Sequence, residues 1–207
     1  MRSNWKIETF LIISFLVLCI QKENAQILIG PTIGLNWSAF STADLTVPSK
    51  SSLGSSFGVI AEFSLVSLLS FRVEPSYIQK GSNEYWPDMG GPDIVKLRLQ
   101  YFQIPVELQA NLPISVFSSH IFIGPNIGYL LSANHSSTHS KKIVDVLDYY
   151  NKFDCSLDFG AGLEYNIVSL IKGNLDYKYS LGLLNIRKTG PIHTRGIQIV
   201  AGILFSI

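Results

Sequence analysis

Apolar and polar residues alternate one by one along much of this chain, and this period of two restricts its fold more than any other feature. From Phe153 to Ile167 the odd positions carry aromatic, aliphatic or small side chains, whereas the even positions carry Asp, Ser, Gly, Glu or Asn. Residues 174–183 repeat the pattern. Successive side chains of a β-strand point to opposite faces, so each segment predicts a strand with one apolar and one polar face. Beyond residue 25 no segment keeps a helical period, and the chain is predicted to be all-β.

The alternation marks eight candidate strands, at about residues 27–39, 54–65, 68–81, 97–111, 118–133, 153–167, 173–185 and 195–207. In the fourth strand the apolar phase shifts between Leu99 and Phe102, which predicts a β-bulge near Tyr101 that resets the register. An even number of antiparallel strands can close into a barrel without a free edge. The predicted fold is therefore an eight-stranded antiparallel up-and-down β-barrel.

Long and short connections alternate between these strands. The long ones span 40–53, 82–96, 134–152 and 187–193, and the short ones lie near Val66-Ser67, Pro113-Ile114 and Val168 to Gly173. Transmembrane barrels have short periplasmic turns and longer extracellular loops, so we expect the long connections on the outside of the cell. Within the longest connection, Ile143 to Tyr150 is apolar enough to extend the barrel wall or to contact a partner protein.

Two kinds of barrel fit eight strands, and they differ in which face is inside. A soluble lipocalin-like barrel turns its apolar face inward around a ligand, whereas a membrane barrel turns that face outward against lipid. The polar face carries many glycines, as expected where side chains crowd a small lumen. The apolar face carries rings suited to the membrane interfaces, namely Trp37, Tyr77, Tyr129, Tyr165, Tyr177 and Tyr179. These features favour a transmembrane barrel, and the soluble ligand-binding barrel is the alternative.

Residues 1–25 have the features of a secretory signal peptide. A weakly positive start precedes an apolar run from Thr9 to Ile20 that is too short to cross a bilayer as a helix, and Ala25 supplies a small residue at the exit. The expected organisation is a signal peptide over 1–25 and a barrel domain over 26–207. The whole chain has 16 Lys and Arg against 15 Asp and Glu, so it offers no cationic field for nucleic acid.

Five segments also carry a family resemblance. They are Gly30 to Asn36, Tyr101 to Leu108, Phe122 to Tyr129, Asp158 to Tyr165 and Tyr179 to Ile186. In order and spacing they resemble the outer-membrane β-barrel domain proteins of Bacteroidetes, the PorT-like group. The resemblance covers essentially all of the chain that follows the signal peptide. It implies an eight-stranded outer-membrane barrel, in a group of which a few members assist secretion or the cell envelope.

Motifs for catalysis, cofactors or metals are weak in this sequence. His120 lies on a polar face, and a Ser-His-Asp set can be assembled around it only by assuming contacts that the sequence does not give. His135 and His139 could share a metal only on a helix, and they lie in a connection rich in Ser and His. Gly90-Gly91 lacks the Lys-Ser/Thr of a phosphate loop. We predict no catalytic residue, no cofactor and no metal; a lipid-modifying barrel with its active site at the rim is a third class.

Charged residues on the polar faces form the candidate site. Strand parity directs into the lumen Glu62, Arg72, Glu74, Glu107, His120, Asp158, Glu164, Asp176 and Lys178. The lumen of an eight-stranded barrel is only wide enough for its own side chains, so these groups are expected to pair and to close it. Counting from the turns sets Glu62 opposite Arg72, Glu164 beside Asp176 and Lys178, and Glu107 near His120.

The sequence thus predicts a non-enzymatic outer-membrane barrel that acts through its long loops, as an envelope, adhesion or secretion-accessory protein. The expected partners are outer-membrane lipid, the barrel-assembly machinery and, through the connection 134–152, an envelope or secretion protein. No nucleic acid partner is expected.

Overall fold

The computed structural model describes residues 27–42, 49–66, 68–88, 91–114, 117–137, 143–190 and 192–207. The predicted signal peptide, 1–25, lies outside the described residues. The strands are β1 (Ile27–Thr42), β2 (Ser49–Val66), β3 (Leu69–Val73), β4 (Ser76–Asp88), β5 (Gly91–Ile114), β6 (Phe117–Ser137), β7 (Ile143–Asp145), β8 (Phe153–Val168), β9 (Ile171–Gly182) and β10 (Ile192–Ser206), with one 3-10 helix at Leu147–Tyr149. Within these ranges no helix has the length and apolar character needed to span a bilayer.

The strands close into a ring of eight antiparallel wall strands. β1 pairs with β2 on one side and with β10 on the other, from Leu28↔Ser206 to Thr42↔Ile192. Elsewhere each wall strand pairs with the next along the chain, with β3 and β4 together forming the third wall strand and β7 added to the end of β6. The predicted eight-stranded up-and-down barrel is confirmed. Its third strand is broken at Glu74-Pro75, where proline has no N–H to give to the ladder.

The two rims of the barrel differ in the length of their connections. Three connections of two residues each, 67–68, 115–116 and 169–170, lie at what we call the short-turn rim. The opposite end, which we call the long-loop rim, carries 43–48, 89–90, 138–152 and 183–191. The predicted alternation of long and short connections holds except between β4 and β5, which only residues 89–90 connect where a long loop over 82–96 was predicted. The second short turn lies two residues beyond the predicted Pro113-Ile114.

Over most of the wall the distribution of polarity is the reverse of that in a soluble protein. On β6, Ile121, Ile123 and Ile127 are more than half exposed, at 56, 51 and 59%, whereas His120 and Asn126 face the lumen and are 1 and 2% exposed. Apolar side chains on an outer surface are stable against lipid, and a narrow lumen accommodates the polar ones. The lipid-facing band expected of a transmembrane barrel is present, and the soluble ligand-binding alternative has no support.

Towards the long-loop rim the polarity reverses again, and the lumen becomes apolar. Leu97, Leu99 and Tyr101 point inward from β5 and are nearly inaccessible. They belong to what we call the upper cluster, which comprises Phe40, Ile78, Leu97, Leu99, Tyr101, Leu130, Ala133, Tyr150 and Ile186. Outside this cluster the wall carries polar and charged side chains, such as Lys96 and Arg98. This part of the barrel therefore has an apolar interior and a surface suited to water.

The prediction of a bulge within β5 is wrong. The inward parity of β5 continues unbroken from Leu97 to Gln109, so β5 itself is not reset. The register shift occurs in its pairing with β6, where Gln100 pairs with Ser132 and Tyr101 with Leu130, which leaves Leu131 as the extra residue. The apolar phase changes along β5 because the surroundings of the wall change from lipid to water.

Paired strands occupy much of what the sequence predicted as long loops. β4 and β5 continue to Asp88↔Gly91, so the predicted loop 82–96 is mostly a β-hairpin. β7 pairs with residues 134–136 of β6, and Tyr150 forms a bridge with Arg187. The apolar segment from Ile143 to Tyr150 therefore extends the wall, as one of its two interpretations predicted.

Aromatic rings lie near both ends of the lipid-facing band. Tyr165 pairs with Phe117 at the start of β6, beside the short-turn rim, and their ring centroids are 5.4 Å apart. Tyr129 meets Phe153 at the other end, also at 5.4 Å. Trp37 pairs with Leu53 towards the same end. Tyr177 and Tyr179 also face outward but lie between the two levels, so these two are not girdle residues.

Candidate functional site in the barrel lumen

An ion cluster crosses the lumen in the half of the barrel nearer the short-turn rim. Arg72 projects inward from β3, and Asp176 and Lys178 project from β9, which is the fourth neighbour around a ring of eight and so the opposite wall. The Arg72 guanidinium contacts Asp176 and lies 3.4 Å from a Glu74 oxygen and 3.6 Å from a Glu107 oxygen. The Lys178 ammonium lies 2.9 Å from Glu74 and 2.8 Å from Glu107. These five residues are called the ion cluster below.

A single aromatic ring stands beside both cations of the ion cluster. The Phe122 ring centroid lies 5.3 Å from the Arg72 guanidinium carbon and 5.4 Å from the Lys178 nitrogen. Phe122 pairs with Gly160 on β8, where an added Cβ would come within 2.6 Å of the ring. Phe122 was not among the residues predicted from the sequence. A bulky ring among polar inward positions, opposite a glycine, is the signal that could have identified it.

His120 and Glu164 form a lower arm of the network. His120 Nε2 lies 2.8 Å from Asp176 Oδ1, and its Nδ1 lies 3.9 Å from Glu164 Oε1. Glu164 also accepts a hydrogen bond of 3.2 Å from Lys172, which parity did not place in the lumen. Glu62 is buried and pairs in register with Arg72, as predicted, but one of its carboxylate oxygens has no hydrogen-bond partner in the described part of the chain.

Two of the predicted neighbourhoods are wrong. Glu164 pairs in register with Asn174 rather than beside Lys178. His120 stands opposite Asn111 rather than near Glu107, because the turn that sets this register lies at 115–116. A displacement of the turn by two residues moves the whole pairing along the strand.

A second level of polar contacts lies between the ion cluster and the upper cluster. Asp158 accepts hydrogen bonds from Asn126 at 2.8 Å and from Ser156 at 3.0 Å. Nearer the long-loop rim, Lys80 lies 3.2 Å from Asp154 and 5.0 Å from the centroid of the Tyr101 ring. Lys80 and Asp154 also occupy buried, inward-facing positions of their strands. The structure thus places every charged residue of the predicted set in the lumen, but on two levels.

The described contacts of this arrangement are charge pairs and hydrogen bonds. Side chains from opposite walls meet at the ion cluster, and the upper cluster lines the lumen nearer the long-loop rim with apolar groups. Among the described residues, no three His, Cys, Asp or Glu side chains are placed to hold a metal ion. His120 contacts carboxylates but no hydroxyl that could serve as a nucleophile in the described contacts.

Comparisons with known proteins agree with this architecture. A family model described as an outer membrane protein beta-barrel domain matches residues 20–186. Neisserial surface protein A has 14% sequence identity and a TM-score of 0.53 over 89% of this chain and 100% of that one. The outer membrane protein OprG from Pseudomonas aeruginosa has 9% identity and a TM-score of 0.57 over 89% and 97%. At such identities the likeness concerns the fold alone. A search of curated proteins finds no match.

Proposed function

Because the chain belongs to the outer membrane protein beta-barrel domain family and is located in the outer membrane, we propose that it is a closed, non-enzymatic barrel that acts through its long-loop rim. The role is that of an envelope, adhesion or secretion-accessory protein. Membership of the PorT-like group, supported by the order of its glycine- and aromatic-rich segments, favours the accessory role. The barrel-assembly machinery is the expected partner during insertion.

One observation carries the proposal. The wall continues beyond the lipid-facing band on the long-loop side, and part of this extension is apolar and uncovered. Ile143 on β7 is 71% exposed, and Tyr149 in the 3-10 helix is 63% exposed. Both lie on the segment that contributes the buried Tyr150 to the upper cluster and packs the half-buried Leu147 against it. Large apolar side chains held on a rigid, water-facing element are typical of a protein contact surface.

The two layers of side chains across the lumen support the same proposal, because they argue against a pore. The ion cluster joins opposite walls, and the upper cluster adds an apolar layer above it. Solutes would have to displace both layers, so the activity is assigned to the rim and not to transport.

Site-specific photo-crosslinking in cells tests the proposal. A photoreactive phenylalanine analogue at Tyr149 is expected to give a discrete adduct with an envelope or surface protein, and Ile143→Ser is expected to reduce its yield. The matched control places the analogue at Leu170, which is 64% exposed at the short-turn rim. Absence of any adduct at Tyr149, or the same adduct from both positions, would contradict the rim as the contact surface.

A further inference from the structure

Cationic side chains, all exposed except the half-buried Arg98, follow the edge of the lipid-facing band at the long-loop rim. On β5 the outward side chains change from Phe102, which is 43% exposed to lipid, to Arg98 and Lys96. On β10 they change from Ile199 to the exposed Arg195. These residues and three exposed cations on the neighbouring connections form what we call the cationic belt: Lys96, Arg98, Lys152, Arg187, Lys188 and Arg195.

The cationic belt extends around about half of the barrel. β5 carries Lys96 and Arg98, Lys152 precedes β8, and Arg195 lies on β10, so the belt passes from the fourth to the eighth wall strand. No charged side chain is exposed on the described lipid-facing surface below it. The belt therefore lies where the wall leaves lipid and enters water.

The six cations of the belt have no ion-pair partner within the described part of the protein. None of the six side chains forms an ion pair there, whereas Arg72, Lys80 and Lys178 in the lumen all do. At the opposite rim Lys172 is paired with Glu164 at 3.2 Å. Unpaired cations beside the lipid-facing band are thus confined, among the described residues, to the long-loop rim.

We propose that the cationic belt binds the phosphate groups of outer-leaflet lipids. Lys152 directly precedes Phe153, which is 62% exposed on the lipid-facing surface, and Arg187 follows Leu183 and Leu184, which are 54 and 47% exposed. A lipid with its phosphate on the cations and its acyl chains on these apolar residues satisfies both sets of groups at once. Free phosphate would contact only the cations. The assignment to the outer leaflet rests on the proposed function, which places the long-loop rim outside.

Lipid binding by the refolded full-length barrel in zwitterionic detergent micelles tests this site. The probes are bisphosphorylated lipid A, its dephosphorylated form and inorganic phosphate. Each membrane-surface cation is expected to contribute about fivefold to affinity, so the triple variant K96Q/R98Q/R195Q should bind the bisphosphorylated probe on the order of 100-fold more weakly. K172Q is the matched control, since it removes a cation at the other rim, and its affinity should stay within about twofold of the parent.

Three outcomes would overturn the lipid site. They are equal affinity for the two forms of lipid A, an equal loss in K172Q, and complete displacement of lipid A by inorganic phosphate. Gel mobility before and after boiling checks that each variant is folded. Micelles have no inside or outside, so binding does not depend on orientation. Surface labelling of the long-loop rim only in permeabilised cells would overturn the outer-leaflet assignment and the proposed function together, while phosphate-dependent binding in micelles would persist.

Discussion

At the scale of single residues, Arg72 joins more parts of the barrel than any other lumen side chain described above. Its guanidinium reaches from β3 to Asp176 on the opposite wall and stands near Glu74 and Glu107. All four side chains are almost completely inaccessible to solvent. A buried charge that loses its partner is costly because neither water nor another cation can replace that partner.

A double-mutant cycle on this pair should show strong coupling. Arg72→Met is expected to lower the free energy of unfolding by about 3–5 kcal/mol, because it leaves carboxylates uncompensated. Adding Asp176→Asn should recover part of that loss. The measurement is urea unfolding of the refolded protein in detergent. The control cycle, Lys172→Met with Glu164→Gln, concerns a cation that is 25% exposed and should show coupling of only about 0–1 kcal/mol. Additive losses in the Arg72 cycle would show that the pair is not coupled.

Glycine 162 should not tolerate a side chain. A Cβ at Gly162 would clash with Asp176 and with the His120 ring, which hold each other in place. Gly162→Ala is therefore expected to destabilise the barrel by about 1–3 kcal/mol. Gly173→Ala is the comparison, because its nearest atom would lie at an ordinary 3.6 Å. Thermal unfolding in detergent measures both, and equal midpoints for the two variants would contradict this close packing.

The cost of a charge on the outer wall should depend on its depth. Ile123 is 51% exposed and lies in the middle of the lipid-facing part of β6, so Ile123→Arg is expected to cost about 2–4 kcal/mol. Leu181 also faces outward but pairs with Arg195 at the edge of the band, so Leu181→Arg should cost roughly 0–1 kcal/mol. The yield of heat-modifiable protein in outer membranes is the measurement. Equal yields of the two variants would argue against the assigned depth of the band.

At the scale of strands, the period of two predicted the wall well because it follows from backbone geometry alone. It could not identify the surroundings of each face. Along β5 the same inward parity carries Glu107 at one level and Leu99 at another, a change of polarity that gives the same sequence pattern as a bulge. The residues of the ion cluster were predicted, but their ion-pair partners were not. The contacts of the cluster cross the lumen, whereas counting residues from a turn gives only the pairs between neighbouring strands. The β4–β5 hairpin was missed because residues 82–96 show no regular alternation of apolar and polar residues.

The two rims should differ in accessibility on intact cells. An epitope inserted between Ser137 and Ile143 is expected to be labelled by antibody without permeabilisation, because it extends the longest connection of the long-loop rim. An epitope inserted between Ile114 and Phe117 should be labelled only after the outer membrane is opened. The reverse pattern would invert the proposed topology.

At the scale of the whole molecule, two layers of side chains with different chemistry lie across the lumen. The ion cluster is polar and joins opposite walls, while the upper cluster is apolar and lies above it. Each layer alone is sufficient to obstruct a narrow barrel, since eight strands leave room for little more than side chains. We therefore expect closure of the lumen to depend on both layers and not on one ion pair.

Because either layer is expected to obstruct the lumen, ion conductance should appear only when both layers are reduced. The unmodified protein, Lys178→Ala alone and Leu99→Gly with Tyr101→Ala are each expected to give no stable channel in planar bilayers. The three substitutions together should give discrete openings, because both layers are then reduced. A stable channel in the unmodified protein would contradict the closed lumen, and opening by Lys178→Ala alone would show that the upper cluster is not a barrier.

The pairing of β1 with β10 imposes an order of events on biogenesis. The first strand of the barrel finds its second neighbour only in the last one, with Leu28 opposite Ser206 and Thr42 opposite Ile192. Until β10 arrives, β1 presents an open row of backbone donors and acceptors that lipid cannot satisfy. The nascent barrel must therefore be held by another protein, or kept out of the bilayer, until its final strand has been delivered. Ring closure is the step that releases it as an independent membrane protein.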